Sequence, residues 1–135
     1  MTINWDAEKM TTGVGEIDEQ HKEWIRRFNE FDDAVTSQRG VEAIQNAVDF
    51  FAQYTHTHFA FEEACMQKYN CPAQSENFMA HAEFQENLSQ IDSWVKEGEA
   101  SLIEVFELKT VLEEWLVNHI CTIDVQLRKV VVNGL

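Results

Sequence analysis

The chain has 135 residues, 44% of them hydrophobic and 25% charged, a length and balance that suit one globular domain with a single core. Five glycines and one proline are too few for the turns of a barrel or sandwich and favour long helices. Acids outnumber bases 24 to 10, a net charge of −14; such a surface repels phosphate backbones and anionic membranes, so neither nucleic acid nor membrane is expected as a partner.

Residues 1–16 read as an arm ahead of the first helix, with Trp5 as an anchor across the bundle and Gly13-Val14-Gly15 as a turn. From Ile17 the pattern is helical: Ile17, His21, Trp24, Phe28, Phe31 and Val35 step by fours and threes, and Ser37-Gln38-Arg39-Gly40 ends the run with a glycine stop. Ile44, Val48, Phe51, Thr55, His58, Glu62, Cys65 and Tyr69 form a second, longer stripe, broken at Asn70-Cys71-Pro72. A third helix fits Ser75 to Lys96, with Ser75 as a candidate N-cap, Asn77, His81, Phe84, Leu88, Ile91 and Val95 as its stripe and Gly98 as its stop. The fourth spans about Ser101 to Val131, with Val105, Leu108, Leu112, Trp115, His119 and Ile123 inward and Asn133-Gly134 fraying its end. The expected fold is all-α: an antiparallel up-down-up-down four-helix bundle over residues 17–131 behind an N-terminal arm, one domain across residues 1–135.

Cys65, Cys71 and Cys121 make an odd count without a Cys-x-x-Cys pair, which suits a reducing compartment better than a disulfide framework. Met1 to Glu8 has no apolar run behind a basic start and does not read as a secretory leader. No stretch reaches the length of a membrane span. The expected location is cytoplasmic.

The anomaly lies inside the stripes. His21, His58, His81 and His119 each occupy the apolar face of a different helix. The fifth histidine, His56, is about 200° round the helix from His58 and reads as outward-facing. Glu62, four residues after His58, shares its face, whereas Glu63 is turned about 100° away. Asp124 follows His119 by five residues, about 140° round an ideal helix. Either a metal lies between the two, or the helix widens into a π-type turn near Cys121. A single buried histidine is ordinarily satisfied by a carbonyl. Four on facing stripes with two carboxylates are not, because an unpaired buried carboxylate costs on the order of several kcal/mol. Imidazole with carboxylate suits Fe, Mn or Zn, and two carboxylates can bridge two ions. The Glu-x-x-His pairs of ferritin-like bundles are absent from the sequence.

The stretches Val14-Gly15-Glu16-Ile17-Asp18-Glu19-Gln20-His21, His58-Phe59-Ala60-Phe61-Glu62-Glu63, His81-Ala82-Glu83-Phe84 and Trp115-Leu116-Val117-Asn118-His119-Ile120-Cys121-Thr122-Ile123-Asp124 resemble the hemerythrins, the bacterial ones in particular. The resemblance covers nearly the whole chain. It implies a non-haem, carboxylate-bridged di-iron centre that binds O2 reversibly. On the matching positions, His21 and His58 would hold the iron that keeps an open position, His81 and His119 the other iron, and Glu62 and Asp124 would bridge them. Leu116 would sit over the O2 pocket with Trp115 beside it, and Phe28, Phe59 and Ile120 would complete its wall.

One position departs from the pattern. The family has a histidine four residues before the match to His81, and here that residue is Asn77. Asn77 could bind through its amide oxygen, hold a water, or leave that half without metal. The surviving ligands favour a dimetal site with Asn77 or water in the last place, more weakly held and open to Zn or Mn. The expected function is O2 carriage, storage or sensing, and not enzyme catalysis. The alternative is a redox site that handles peroxide or nitric oxide through an exchangeable position beside Asn77. Glu62→Gln is expected to strip metal and Glu63→Gln to leave it.

Overall fold

The computed structural model describes residues 2–37, 39–98 and 101–133, the last two by backbone alone. A short helix α1 (Ala7–Met10) lies in the arm, followed by four long helices: α2 (Gly15–Thr36), α3 (Val41–Lys68), α4 (Gln74–Glu97) and α5 (Leu102–Thr122). A 3₁₀ turn, Asp124–Gln126, leads into α6 (Leu127–Asn133). Each long helix packs on its neighbour in sequence and α5 returns to α2, the expected up-down-up-down bundle. Among the described residues no helix is long and apolar enough to cross a membrane.

The stripes explain the core. All six residues of the first stripe are buried, as are Ile44, Val48, Phe51, Thr55, His58 and Glu62 of the second. Cys65 and Tyr69 are only half-buried, and Met66 takes the interior place. On α5 the inward face is broader than expected: Val105, Leu112 and His119 are buried as expected, Lys109, Leu116 and Ile120 are buried beside them, and Leu108, Trp115 and Ile123 are half-buried. The buried Lys109 ammonium reaches Asp32 of α2 at 2.5 Å and lies 4.6 Å from the Phe106 ring centroid.

The helix ends follow local chemistry. Gly98 closes α4 at φ 66°, a left-handed conformation that a side chain disfavours. Ser101 caps α5 in a reciprocal box with Glu104. Ser75 is not the N-cap of α4: the helix starts one residue earlier, behind Ala73, so Ser75 falls in its first turn. The expected fourth helix is likewise interrupted, ending at Thr122 and continuing as the 3₁₀ turn and α6. Of the expected fraying at Asn133-Gly134, Gly134 lies outside the described residues.

The arm is pinned at both ends. The Asn29 side-chain amide exchanges two 2.9 Å hydrogen bonds with the Ile3 backbone. The Arg128 guanidinium donates to Thr11 O, and to Glu8 O at 2.9 Å. Trp5 packs half-buried against the core, with the Lys22 ammonium over its ring.

Candidate metal centre

Antiparallel order sets the four inward histidines at one level. His21 and His81 sit about two turns into α2 and α4, His58 about three turns before the end of α3, and His119 in the last turn of α5. Their residues are at most 4% exposed, and Glu62 and Asp124 are fully buried. His56 is exposed on the outer face, as its position on the helix predicts.

Asp124 arrives by an interruption and not by a widened turn. At Ile123 the backbone stays in the right-handed helical region but departs from ideal values (φ −100°, ψ −55°), its N–H still bonded to His119 O, and the tighter 3₁₀ turn begins at Asp124 itself. The departure from ideal helix expected near Cys121 is therefore present two residues later, as a helix end.

The two carboxylates divide their oxygens between two pairs of imidazoles. Glu62 Oε2 stands 2.9 Å from His21 Nε2 and 3.5 Å from His58 Nε2, while its Oε1 stands 3.1 Å from His81 Nε2 and 4.0 Å from His119 Nε2. Asp124 Oδ2 lies 3.1 Å from His21 Nε2 and its Oδ1 3.0 Å from His119 Nε2. Two overlapping donor groups result: His21, His58 and Glu62, and Glu62, His81, His119 and Asp124, the ligand atoms in each within 4.8 Å of one another.

Protons alone do not satisfy this cluster. A single Nε2–H on His21 can be directed at one acceptor, and it serves Glu62. Asp124 Oδ2, His58 Nε2 and His21 Nδ1 are buried without a hydrogen bond, a cost that native interiors ordinarily avoid. Burial disfavours the His21 cation, but the Asp124 and Glu62 carboxylates outweigh it and push its pKa up to about 10. Burial dominates at His58, whose pKa falls to about 3, so that imidazole is neutral. It donates Nδ1–H to Gln20 Oε1 at 2.8 Å, which leaves the Nε2 lone pair bare and aimed inward. Burial raises both carboxylates, and the surrounding histidines reverse this: Glu62 and Asp124 each end below the ordinary carboxylate range. Bare imidazole nitrogen beside ionised carboxylate is a donor set that fits a transition-metal cation.

Asn77 completes the second group. It is fully buried, and with its amide nitrogen turned inward it lies 2.8 Å from His119 Nε2, 2.9 Å from His81 Nε2, 3.2 Å from Glu62 Oε1 and 3.3 Å from Asp124 Oδ1. The two carboxylate oxygens among them are acceptors, and an imidazole Nε2 accepts wherever it carries no proton, an arrangement that suits the amide with its N–H groups inward. A cation among the same atoms would favour the opposite face, the carbonyl oxygen.

Residues 12–129 match the family model of the hemerythrin HHE cation binding domain. The chain belongs to the hemerythrin family. It is 32% identical over 111 residues to the bacteriohemerythrin of Stenotrophomonas maltophilia (strain R551-3), covering 82% of this chain and 70% of that one. With the bacteriohemerythrin of Methylococcus capsulatus (strain Bath) it shares 32% over 124 residues, 90% of this chain and 91% of the other. The crystal structure of a wild-type hemerythrin superposes with a TM-score of 0.83 at 26% identity, over 93% of this chain and 94% of that one.

Around the inner group this hemerythrin-family chain builds an aromatic wall. Phe59 stacks on His81 with centroids 3.7 Å apart and planes 1° from parallel, and Trp115 stacks on His119 at 4.3 Å. Leu116 and Ile120 are fully buried on α5. Phe28 is buried too, but its ring contacts are Phe31 and Phe51. Beside His58 stands Trp24 instead, 5.2 Å between centroids. The Trp24 indole N–H donates to Thr55 Oγ1 at 2.8 Å, and the Thr55 hydroxyl donates to Phe51 O at 2.7 Å, which fixes the ring. Sequence reasoning placed Trp24 only in the core. It also missed Gln20 and Glu63, which hold the outer nitrogens of His58 and His81.

Proposed function

We propose that this chain holds a pair of metal cations, ordinarily iron, and binds O2 reversibly. The observation that carries the reading is the division of the Glu62 and Asp124 oxygens between two pairs of imidazoles. Two carboxylates so placed suit two cations better than one. His21 and His58 would hold one ion, His81 and His119 the other, with Glu62 and Asp124 shared. Asn77, at a position where the family resemblance calls for histidine, would contribute its amide oxygen or hold a water. A bound iron pair supplies the electrons for reversible O2 binding. The chain's own residues fix the ligands and keep the site dry: Phe59, Trp115, Leu116 and Trp24 exclude water, which favours reversible binding over oxidation. The role is that of a binding protein, in carriage, storage or sensing, formed by one domain with residues 1–16 as arm and 17–131 as bundle. Free Cys65, Cys71 and Cys121 suit a reducing cytoplasm.

The test is metal content with oxygenation. Two ions per chain are expected by elemental analysis of iron, zinc and manganese together. An optical band should appear on aeration of the reduced protein and vanish on deoxygenation. No metal, or metal without a reversible band, overturns the reading. One observation favours a second reading: where Asn77 stands, a neutral amide meets the cluster, a poorer donor than imidazole. An ion there would exchange ligands, and steady consumption of peroxide or nitric oxide would identify a redox site in place of a carrier. The same weak place would admit zinc or manganese.

A further inference from the structure

The imidazoles of the two halves are held from outside by different chemistry. His58 donates Nδ1–H to the neutral Gln20 Oε1 at 2.8 Å. His81 donates Nδ1–H to the Glu63 carboxylate, also at 2.8 Å. Glu63 is 31% exposed at its side chain and lines an open groove of about 780 Å³ between α3 and α4, with Ala60, Gln67, Ser75 and Phe78. It also lines a smaller cavity of about 160 Å³ that reaches His81 and Phe59. The Phe59 ring stacked on His81 fixes the plane of the imidazole, and the two carboxylates fix its orientation in that plane, with Nδ1 toward Glu63 and Nε2 toward Glu62 Oε1.

A carboxylate behind an imidazole makes the opposite nitrogen a stronger donor than an amide does, and fixes which nitrogen carries the proton. We propose that Glu63 is a positioning residue which strengthens His81 as a ligand and so compensates, on the same half of the centre, for the weak donor Asn77. The inference rests on the two-cation reading above. It gives the two halves opposite designs. One has His58 backed by a neutral amide and His21 with no hydrogen bond at its outer nitrogen. The other has a neutral amide within the cluster, offset by a charged group one shell out. It also changes the expectation for Glu63→Gln, since Glu63 is turned away from the bridge yet is bonded to a ligand of the next helix.

The experiment titrates metal-free protein with zinc, and anaerobically with ferrous iron, against a competing chelator, and reads the two dissociation constants. Glu63→Gln keeps an oxygen that can accept from Nδ1–H and removes only the charge. It should weaken one of the two ions by about tenfold to a hundredfold and leave the other unchanged. Glu63→Ala should weaken the same ion at least as much. In the metal-free state Glu63→Ala should also release the His81 tautomer, read by nitrogen NMR of the ring. Gln20→Glu should tighten the other ion. Glu83→Gln removes the same charge from an exposed position of α4 and should alter neither constant. Two ions bound with wild-type constants in Glu63→Gln would overturn the proposal while sparing the two-cation reading. Loss in Glu63→Ala alone would overturn it as well, because a hydrogen bond and not a charge would then suffice. A wild-type chain that takes up no metal overturns both.

Discussion

Asn77→His exchanges an amide for the imidazole that the family resemblance calls for, and its effect should reverse sign with metal. In the metal-free chain the amide offers two N–H donors to two carboxylate oxygens and two imidazole nitrogens at 2.8–3.3 Å. A neutral imidazole offers one, so a hydrogen bond to a charged or polar neighbour is lost, a cost of about 1–2 kcal/mol. The larger ring enters a fully buried place, and overpacking of this kind costs about 1–3 kcal/mol. The metal-free variant should therefore lose about 3 kcal/mol, a fall in Tm of roughly 10 °C for a chain of this size. With a cation present the ring nitrogen becomes a ligand, and each tenfold gain in affinity returns about 1.4 kcal/mol. The assay is thermal unfolding of both chains in excess chelator and again with saturating ferrous iron or zinc, with metal per chain measured in parallel. The variant should melt below wild type in chelator and above it with metal, and its oxygenated band should decay more slowly. A shift of the same sign and size in both conditions would show that Asn77 does not face the cation.

Glu62→Gln should remove most bound metal, since it replaces one of the two shared oxygens by an amide nitrogen and removes the charge that faces both imidazole pairs; two ions retained per chain would reject the shared role. Lys109→Met should cost about 1–3 kcal/mol in urea unfolding, because it removes the ammonium that donates to the buried Asp32 carboxylate; an unchanged midpoint would mean the pair is worth no more than its apolar replacement. In the metal-free chain, stability should peak near pH 6.5. His21, raised from 6.5 to about 10, contributes fully below 6.5 and loses its contribution as pH rises toward 10. His58, lowered from 6.5 to about 3, is neutral when folded and costs stability as pH falls below 6.5, before Glu62 and Asp124 add their own loss at lower pH. A flat urea midpoint between pH 4 and 9 would contradict those shifts.

The inner layer was legible because stripe periodicity reports which residues face inward, and four histidines on four stripes are hard to satisfy otherwise. Thr55 fits the same logic: a polar residue on an apolar stripe is explained once the Trp24 indole is seen to donate to it. Lys109 was not legible. Its partner Asp32 lies 77 residues away on another helix, and no local pattern announces a buried lysine. The second layer escaped for a different reason. Gln20 directly precedes His21, yet it supports His58 of the next helix; Glu63 directly follows Glu62, yet it supports His81 of the helix after. A residue beside an inward one is turned about 100° from it, which points it along the seam toward a neighbouring helix and away from its own helix's ligand. Periodicity scores such a position as surface. In an antiparallel bundle it is the position from which one helix can grip the outer nitrogen of its neighbour's imidazole, so the support for each of these two ligands is encoded beside an inner residue of the preceding helix.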